Sequence, residues 1–312
     1  MKQILFIGMA CLMAVLSSCQ SSTIMEEPQI NQPSIQSMEH WDIEEDALII
    51  RLQAFNDSIL DDAVSVQASG DVSKAIDIAL NDLSGAYKGA KLGWKLGLLF
   101  GPNGGAIGAA IGGPIFGAAK SYIAYKRYET AHSQVRSEDN SFKGYPTLDE
   151  TISATIKMRE TVSDYTVYYP SKISLTLSTS KRDLQNYGAQ HNLILDNLKK
   201  NNYGNGIPLL AFNGIERSVI NHPDFVEGYS KLISGTDGLR PATRDELIAD
   251  KTITLYINAI RSAKSYKDIE LISNTYIREV TSSNELDIQN EDCVISSICV
   301  LASSSEFWKV FN

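Results

Sequence analysis

The feature that most constrains this fold is a row of small residues with a four-residue spacing. Ten consecutive positions of the row carry Gly, Ala or Ser, and eight of the ten are Gly. The ten positions are Gly85, Gly89, Gly93, Gly97, Gly101, Gly105, Ala109, Gly113, Gly117 and Ser121. Each Gly costs a helix roughly 1 kcal/mol relative to Ala. Small residues at i, i+4 and i+8 form a groove along a helix, in which a second helix lies at short distance. The row therefore predicts close helix packing.

The same region predicts a helical hairpin. Its central 24 residues carry no charge, and Pro102-Asn103-Gly104-Gly105 within them is a turn signature. We predict helices over roughly 73–100 and 105–130, with their small residues facing inward, so that residues 85–121 form a glycine zipper. Pro114 predicts a bend or a new helix start in the second arm.

Two interpretations of this hairpin remain open. In the first, it inserts into lipid or associates with a second copy of itself; in the second, it is a soluble pair of helices whose outer side the rest of the chain buries. The first is favoured by a stripe of Lys88, Lys91 and Lys95, and by aromatic and basic residues at the far end of the hairpin, which are typical of a membrane interface: Tyr122, Tyr125, Lys126, Arg127 and Tyr128. However, the uncharged arms are too short to cross a ~30 Å hydrocarbon core twice.

Residues 1–18 have the pattern of a signal peptide. Lys2 is followed by an apolar segment over 4–16 that is too short to span a bilayer. The segment ends in Leu16-Ser17-Ser18-Cys19, which resembles the lipobox cleaved by the lipoprotein signal peptidase. The resemblance implies that Cys19 becomes the mature N-terminus and carries acyl chains such as palmitate. Two or more acyl chains give stable membrane anchoring.

This N-terminus predicts a location in the bacterial cell envelope, with the membrane as partner through the lipid anchor. Residues 19–41 are polar and contain Pro28 and Pro33, so we predict a flexible tether. We expect the outer membrane. The side that the protein faces stays open, because no acidic residue closely follows Cys19.

Hydrophobic periodicity predicts a mainly α fold, an irregular helical bundle that includes the glycine-zipper hairpin. A polar stretch near 133–146 separates a helical region at 42–132 from a C-terminal α-helical domain at 147–312. Helices are predicted near 42–60, 148–162, 183–200, 246–264, 266–280 and 288–310. The alternating segments 165–169 and 173–177 fit either short strands or weak helix.

Charge and cysteine spacing argue against a nucleic-acid partner and against a disulfide bond. The chain has a formal net charge of −9 and no run of basic residues, so nucleic acid is not an expected partner. Cys293 and Cys299 lie six residues apart in a predicted helix, which points their sulfurs to different faces. We therefore favour two buried free thiols over a disulfide.

The sequence offers little catalytic chemistry. It lacks His-Glu-x-x-His, Cys-x-x-Cys, Gly-x-Ser-x-Gly and the phosphate-binding Gly-x-x-x-x-Gly-Lys-Ser/Thr. His191 and Asn192 could bind a metal together with His222 and Asp224. We favour instead a histidine at a helix start and a turn at His222-Pro223. We predict no catalytic residue, no metal and no cofactor, and we do not predict an enzyme.

Three segments resemble a group of Bacteroides-type bacterial lipoproteins with a glycine-zipper segment and no established activity. They are Gly188-Ala-Gln-His191-Asn192-Leu-Ile-Leu195, the stretch from Cys293 to Trp308, and the glycine-rich region followed by Ser121-Tyr-Ile-Ala-Tyr125. The resemblance implies organisation and location, and no mechanism. The glycine-rich segment also resembles those of pore-forming bacteriocins.

Three hypotheses about function follow. The first is a non-enzymatic envelope lipoprotein whose hairpin associates with the membrane or with itself, which would make it a homo-oligomer. The second is an antibacterial, bacteriocin-like pore-forming protein with the hairpin as effector. The third is a soluble ligand-binding or hydrolytic domain with the hairpin as its core.

Overall fold

The computed structural model describes residues 43–44, 46–63, 70–132, 145–162, 172–203, 211–236 and 241–309. The predicted signal peptide, Cys19 and the tether therefore lie outside the described residues. So do most of the polar stretch near 133–146 and the alternating segment 165–169.

The described residues form ten α-helices, one 3-10 helix over Thr179–Leu184, and no strand. The mainly α, helical-bundle prediction is confirmed. The helices are α1 (Ala47–Ala63), α2 (Gly70–Leu98), α3 (Gly104–His132), α4 (Leu148–Thr161), α5 (Gln185–Lys199), α6 (Gly214–Ile220), α7 (Pro223–Ser234), α8 (Arg244–Arg261), α9 (Tyr266–Ser282) and α10 (Ile288–Lys309).

Helices α2 and α3 form the predicted hairpin, and α3 continues through Pro114 without a new start. The hairpin lies in the middle of the bundle, with α10 and α5 packed against it. One buried cluster joins Ala118 and Tyr122 of α3 to Leu195 of α5 and Trp308 of α10. A single core therefore spans the hairpin and the C-terminal helices.

Residues 42–312 consequently belong to one compact unit. The predicted helical region at 42–132 and the predicted C-terminal domain at 147–312 share this core. A second buried cluster also joins the two regions, because Phe116 of α3 packs with Ile152 of α4 and Phe225 of α7. The hairpin is too apolar to be left uncovered, and the later helices supply its cover.

The helices α6 and α7 were not predicted, although each has a recognisable start. Asn213 and Glu216 form a capping box at α6. His222 accepts a hydrogen bond from the backbone N–H of Asp224 at the start of α7, with Pro223 in the first turn. The predicted turn at His222-Pro223 is thus the start of a helix.

The alternating residues 173–177 are neither strand nor helix. This extended segment lies along α9, where the N–H of Ser174 donates to Glu270 and the N–H of Thr176 donates to Asn274. Asn274 in turn donates to the carbonyl of Ser174. Side chains of a helix thus satisfy backbone groups that a sheet would otherwise pair.

Candidate functional site

The two arms of the hairpin meet in direct backbone contact. A Cβ atom added to Gly93 would lie 2.1 Å from the carbonyl oxygen of Gly108, and one added to Gly97 would lie 2.0 Å from that of Gly104. A Cβ on Gly89 would lie 2.2 Å from the carbonyl oxygen of Gly112. No side chain fits at these positions unless the helices separate, so each glycine is required by the close approach.

The register of the second arm differs from the four-residue row of the sequence. The α3 glycines in direct contact with glycine backbone of α2 are Gly104, Gly108 and Gly112, which lie one residue before the predicted Gly105, Ala109 and Gly113. Both helices keep a four-residue spacing. The turn between them shifts the contacting positions of α3 by one residue relative to the row that begins in α2.

The predicted glycines of α3 also lie against α2, where they face side chains as well as backbone. A Cβ on Gly105 would meet the ring of Trp94 at 2.6 Å, and one on Gly117 would lie 3.0 Å from the ring of His191. A Cβ on Gly113 would have ordinary contacts, the nearest at 3.5 Å. In α2, a Cβ on Gly85 would lie 2.6 Å from the carbonyl oxygen of Phe116.

Gly101 does not pack between helices. It has a φ of +113°, and a Cβ there would have nothing within 4 Å. The residue therefore turns the chain between α2 and α3 in a conformation that favours glycine. The prediction that Gly101 packs between the helices is therefore wrong, and its role is to form the turn.

The turn exposes three large apolar side chains in succession. Leu98, Leu99 and Phe100 are 46%, 66% and 41% exposed, respectively, and Pro102 beside them is also exposed. We call residues 98–103 the hairpin tip. Backbone hydrogen bonds hold it in place, since the N–H groups of Phe100 and Gly101 donate to the carbonyls of Gly97 and Leu98. The tip is therefore an uncharged turn, held by backbone hydrogen bonds, with exposed apolar side chains.

The lysine stripe of α2 is largely engaged within the bundle. Lys91 is buried and lies 3.3 Å from a carboxylate oxygen of Glu246 and 3.2 Å from one of Asp250, both on α8. Lys95 lies 2.6 Å from Glu246. Although burial raises the pKa of Glu246, hydrogen bonds from Lys95 and from the N–H of Ala242, with the charge of Lys91, outweigh it and hold this pKa below its usual range. These ion pairs fix the hairpin to α8.

The aromatic end of the hairpin is also packed into the protein. Tyr122 is buried, and the ring of Tyr125 stacks on that of Trp308 at a centroid distance of 5.1 Å. The ammonium group of Lys199 lies 4.1 Å from the centroid of Tyr125. Burial lowers the pKa of Lys199 to about 8. Tyr122 and Tyr125 therefore stabilise the bundle rather than form an exposed belt.

The two histidines considered as metal ligands have different roles. His191 is fully buried in α5, where its Nδ1 lies 2.9 Å from the side-chain oxygen of Asn192. His222 caps α7 and is partly exposed. In the part of the chain that the structure describes, no three His, Cys, Asp or Glu side chains converge as a metal site would require. Cys293 and Cys299 are both buried free thiols.

One groove of about 340 Å³ lies beside α9. It is lined by hydroxyl, amide, guanidinium and aliphatic groups and by no His, Cys, Asp or Glu: Thr176, Ser178, Leu271, Asn274, Thr275, Ile277, Arg278, Thr281 and Ser282. The groove thus lacks a general acid or base of the usual kinds among its lining residues.

In the described residues, no helix has both the length and the apolar character needed to cross a bilayer. Comparison of the chain with protein-family models, with curated proteins and with solved structures finds no match.

Proposed function

We propose that this chain is a non-enzymatic envelope lipoprotein that is anchored through Cys19 and makes a second membrane contact through the hairpin tip. The observation that carries the proposal is the exposure of Leu98, Leu99 and Phe100 in succession at one turn. Exposed apolar side chains are ordinary when they are scattered, but three in succession on one turn form a patch that favours an apolar environment.

The size of the patch suits shallow contact. Burying a Leu or Phe side chain is worth roughly 1.5–3 kcal/mol when it starts fully exposed. The three tip side chains start about half exposed, so entry into the acyl region contributes on the order of 3 kcal/mol. This corresponds to about a hundredfold preference for the membrane. Such a contact is weak alone and becomes effective when an anchor holds the protein at the surface.

The contacts of the zipper favour membrane association over association of hairpins. The groove that the small residues of α2 form is already occupied by α3, as the distances at Gly93 and Gly97 indicate. A second copy could use this face only if the hairpin opened. The pore-forming alternative makes the same demand, since α5 and α10 cover the hairpin. The tip needs no rearrangement to meet a bilayer.

The anchor is tested by replacing its cysteine. We expect Cys19→Ala to abolish incorporation of labelled palmitate and to release the protein from membranes. Continued palmitate labelling of the variant would contradict the lipoprotein assignment, and would leave the tip to be judged by its own experiment.

The tip is tested with the unlipidated chain that begins at residue 20. We expect this chain to partition onto vesicles weakly, and Leu99→Asp to lower the partition coefficient at least tenfold, because it removes about 1.5 kcal/mol of burial and adds a charge. The matched control is Leu271→Asp on α9, since Leu271 is 59% exposed but lies outside the tip. Equal losses from the two substitutions, or no partitioning of the parent chain, would contradict membrane contact through the tip.

A further inference from the structure

The hairpin tip lies within a stretch of sequence that carries a single charge. Between Lys91 and Lys120, Lys95 is the only charged residue. It is half-exposed, and its ammonium group lies 2.6 Å from a carboxylate oxygen of Glu246 near the start of α8. The charge nearest to the tip in the sequence is therefore compensated by a carboxylate.

Two further cations at this interface between α2 and α8 are compensated as well. Buried Lys91 lies 3.3 Å from Glu246 and 3.2 Å from Asp250. Arg244 precedes Glu246 by two residues and lies 2.7 Å from a carboxylate oxygen of Asp46. Together with Lys95, these cations face an equal number of carboxylates, so the group has no formal net charge.

The lack of a free positive charge at the tip determines which lipid surface it suits. A Lys or Arg near an anionic surface strengthens binding about fivefold, but residues 98–103 carry no charge. The whole chain has a formal net charge of −9. An anionic surface therefore repels the chain without attracting the tip, whereas a zwitterionic surface does not repel it.

Trp94 lies one helical turn behind the tip. It precedes Leu98 by four residues, which span about 6 Å of helix. Its ring is partly buried against Gly105 of the opposite arm, where an added Cβ would lie 2.6 Å from the indole nitrogen. The headgroup layer is roughly 5–8 Å thick. When Leu98 reaches the acyl region, Trp94 therefore lies among the headgroups, where a ring with an N–H donor is favoured.

We propose that the hairpin tip prefers a zwitterionic lipid surface to an anionic one, and that Trp94 lies at the level of the headgroups. The inference rests on the proposed membrane contact and names the kind of membrane. Leu98, Leu99 and Phe100 supply the apolar contact, and the indole of Trp94 supplies an interfacial one. The ion pairs between α2 and α8 neutralise the cations that would otherwise attract anionic lipid.

The first experiment compares two kinds of vesicle, one of phosphatidylcholine alone and one of phosphatidylcholine mixed with phosphatidylglycerol. At an ionic strength of about 0.01 M, where the Debye length is about 30 Å, we expect the unlipidated chain from residue 20 to partition at least about twofold more weakly onto the anionic vesicles. The difference should shrink at about 0.15 M, where the Debye length is about 8 Å.

The outcomes separate this inference from the function on which it rests. Equal or tighter partitioning onto the anionic vesicles at low ionic strength would overturn the preference. The tip contact itself would still stand if Leu99→Asp lowered that partitioning. No partitioning onto either kind of vesicle would contradict the proposed membrane contact, and this inference with it.

A matched pair of variants adds the charge that the tip lacks. Asn103 is exposed within the tip, so Asn103→Lys adds a cation and leaves the three apolar side chains in place. At low ionic strength we expect it to partition about fivefold more tightly onto the anionic vesicles than Asn103→Gln, and equally onto phosphatidylcholine. Equal partitioning of the two variants onto the anionic vesicles would overturn the inference, because a charge at the tip would then not affect contact with the surface.

The position of Trp94 is measured from its own fluorescence. The chain has three Trp residues, so Trp41→Phe leaves the emission of Trp94 and of Trp308, which is 2% exposed. On phosphatidylcholine vesicles we expect this emission to shift to shorter wavelength and to become less accessible to acrylamide. A control that also carries Trp94→Phe should show neither change. Unchanged emission from Trp94, while a fluorophore at position 99 shifts, would overturn the headgroup placement and leave the tip contact intact.

Discussion

Gly112→Ala and Gly113→Ala are the same substitution at adjacent positions of α3, and we expect them to have opposite effects. A Cβ at position 112 would lie 2.2 Å from the carbonyl oxygen of Gly89 on α2. Ordinary contact begins near 3.4 Å, so the two backbones would have to separate by about 1.2 Å. A Cβ at position 113 would have its nearest neighbours at 3.5 Å and would displace nothing.

The magnitudes follow from the two costs involved. Overpacking a tight interface costs roughly 1–3 kcal/mol, and the upper value applies here because the obstacle is backbone that cannot change rotamer. Ala favours the helix over Gly by about 1 kcal/mol. Gly112→Ala should therefore destabilise the protein by about 2 kcal/mol, whereas Gly113→Ala should be neutral or stabilise it by up to about 1 kcal/mol.

Urea unfolding and thermal melting of the unlipidated chain measure the difference. For a chain of this size, we expect Gly112→Ala to melt about 3 °C below the parent. Gly214→Ala is a further control, because a Cβ there would have nothing within 4 Å. If Gly113→Ala destabilised as much as Gly112→Ala, or if both were neutral, the described register of the hairpin would be refuted.

Two further predictions concern the contacts that hold the hairpin in place. Trp308→Ala should cost roughly 3–5 kcal/mol, because the ring is 2% exposed and packs against the hairpin, and a melting temperature within a degree of the parent would contradict this docking. Glu246→Gln should cost about 2 kcal/mol at pH 7, because buried Lys91 then keeps only Asp250 as a carboxylate partner. Since the pKa of Glu246 is lowered by folding, its ionic contribution is present above about pH 4.3 and is lost as pH falls through the lowered value. The difference between this variant and the parent should accordingly shrink below pH 4, and an undiminished difference at pH 3 would argue against the ion pairs.

Periodicity was enough to predict most of the helices. The ends of α9 and α10 are determined by residues close by in the sequence. In the same way, the capping box of Thr147 and Glu150 starts α4 at the position that the sequence predicts. The hairpin was predictable for the same reason, since apolar arms joined at a Gly-rich turn allow few other arrangements. The helices α6 and α7 were not predicted because they are short, and their starts are marked by the capping box of Asn213 and Glu216 and by the His222 cap.

Contacts between residues that are far apart in the sequence could not be predicted from local patterns. The α3 positions in backbone contact with α2 depend on how many residues the turn at Gly101 takes up, so the predicted row runs one residue beyond Gly104, Gly108 and Gly112. Lys91 belongs to a stripe that suits lipid headgroups, yet its partners on α8 are more than 150 positions away in the sequence. Likewise, nothing near Asp82 in the sequence indicates that it meets His191 across the core.

The depth of the hairpin tip at a membrane tests the central claim most directly. A Leu99→Cys variant of the lipidated protein can be labelled with an environment-sensitive fluorophore, because burial keeps both native thiols unreactive and raises the pKa of Cys299 to about 12. The control is Ser73→Cys, an exposed position at the other end of α2. On vesicles, we expect the label at position 99 to shift to shorter wavelength and to be quenched by lipids that carry a nitroxide near the headgroup, while the label at position 73 does not change. An unshifted label at position 99, or equal quenching at both positions, would contradict shallow contact through the tip.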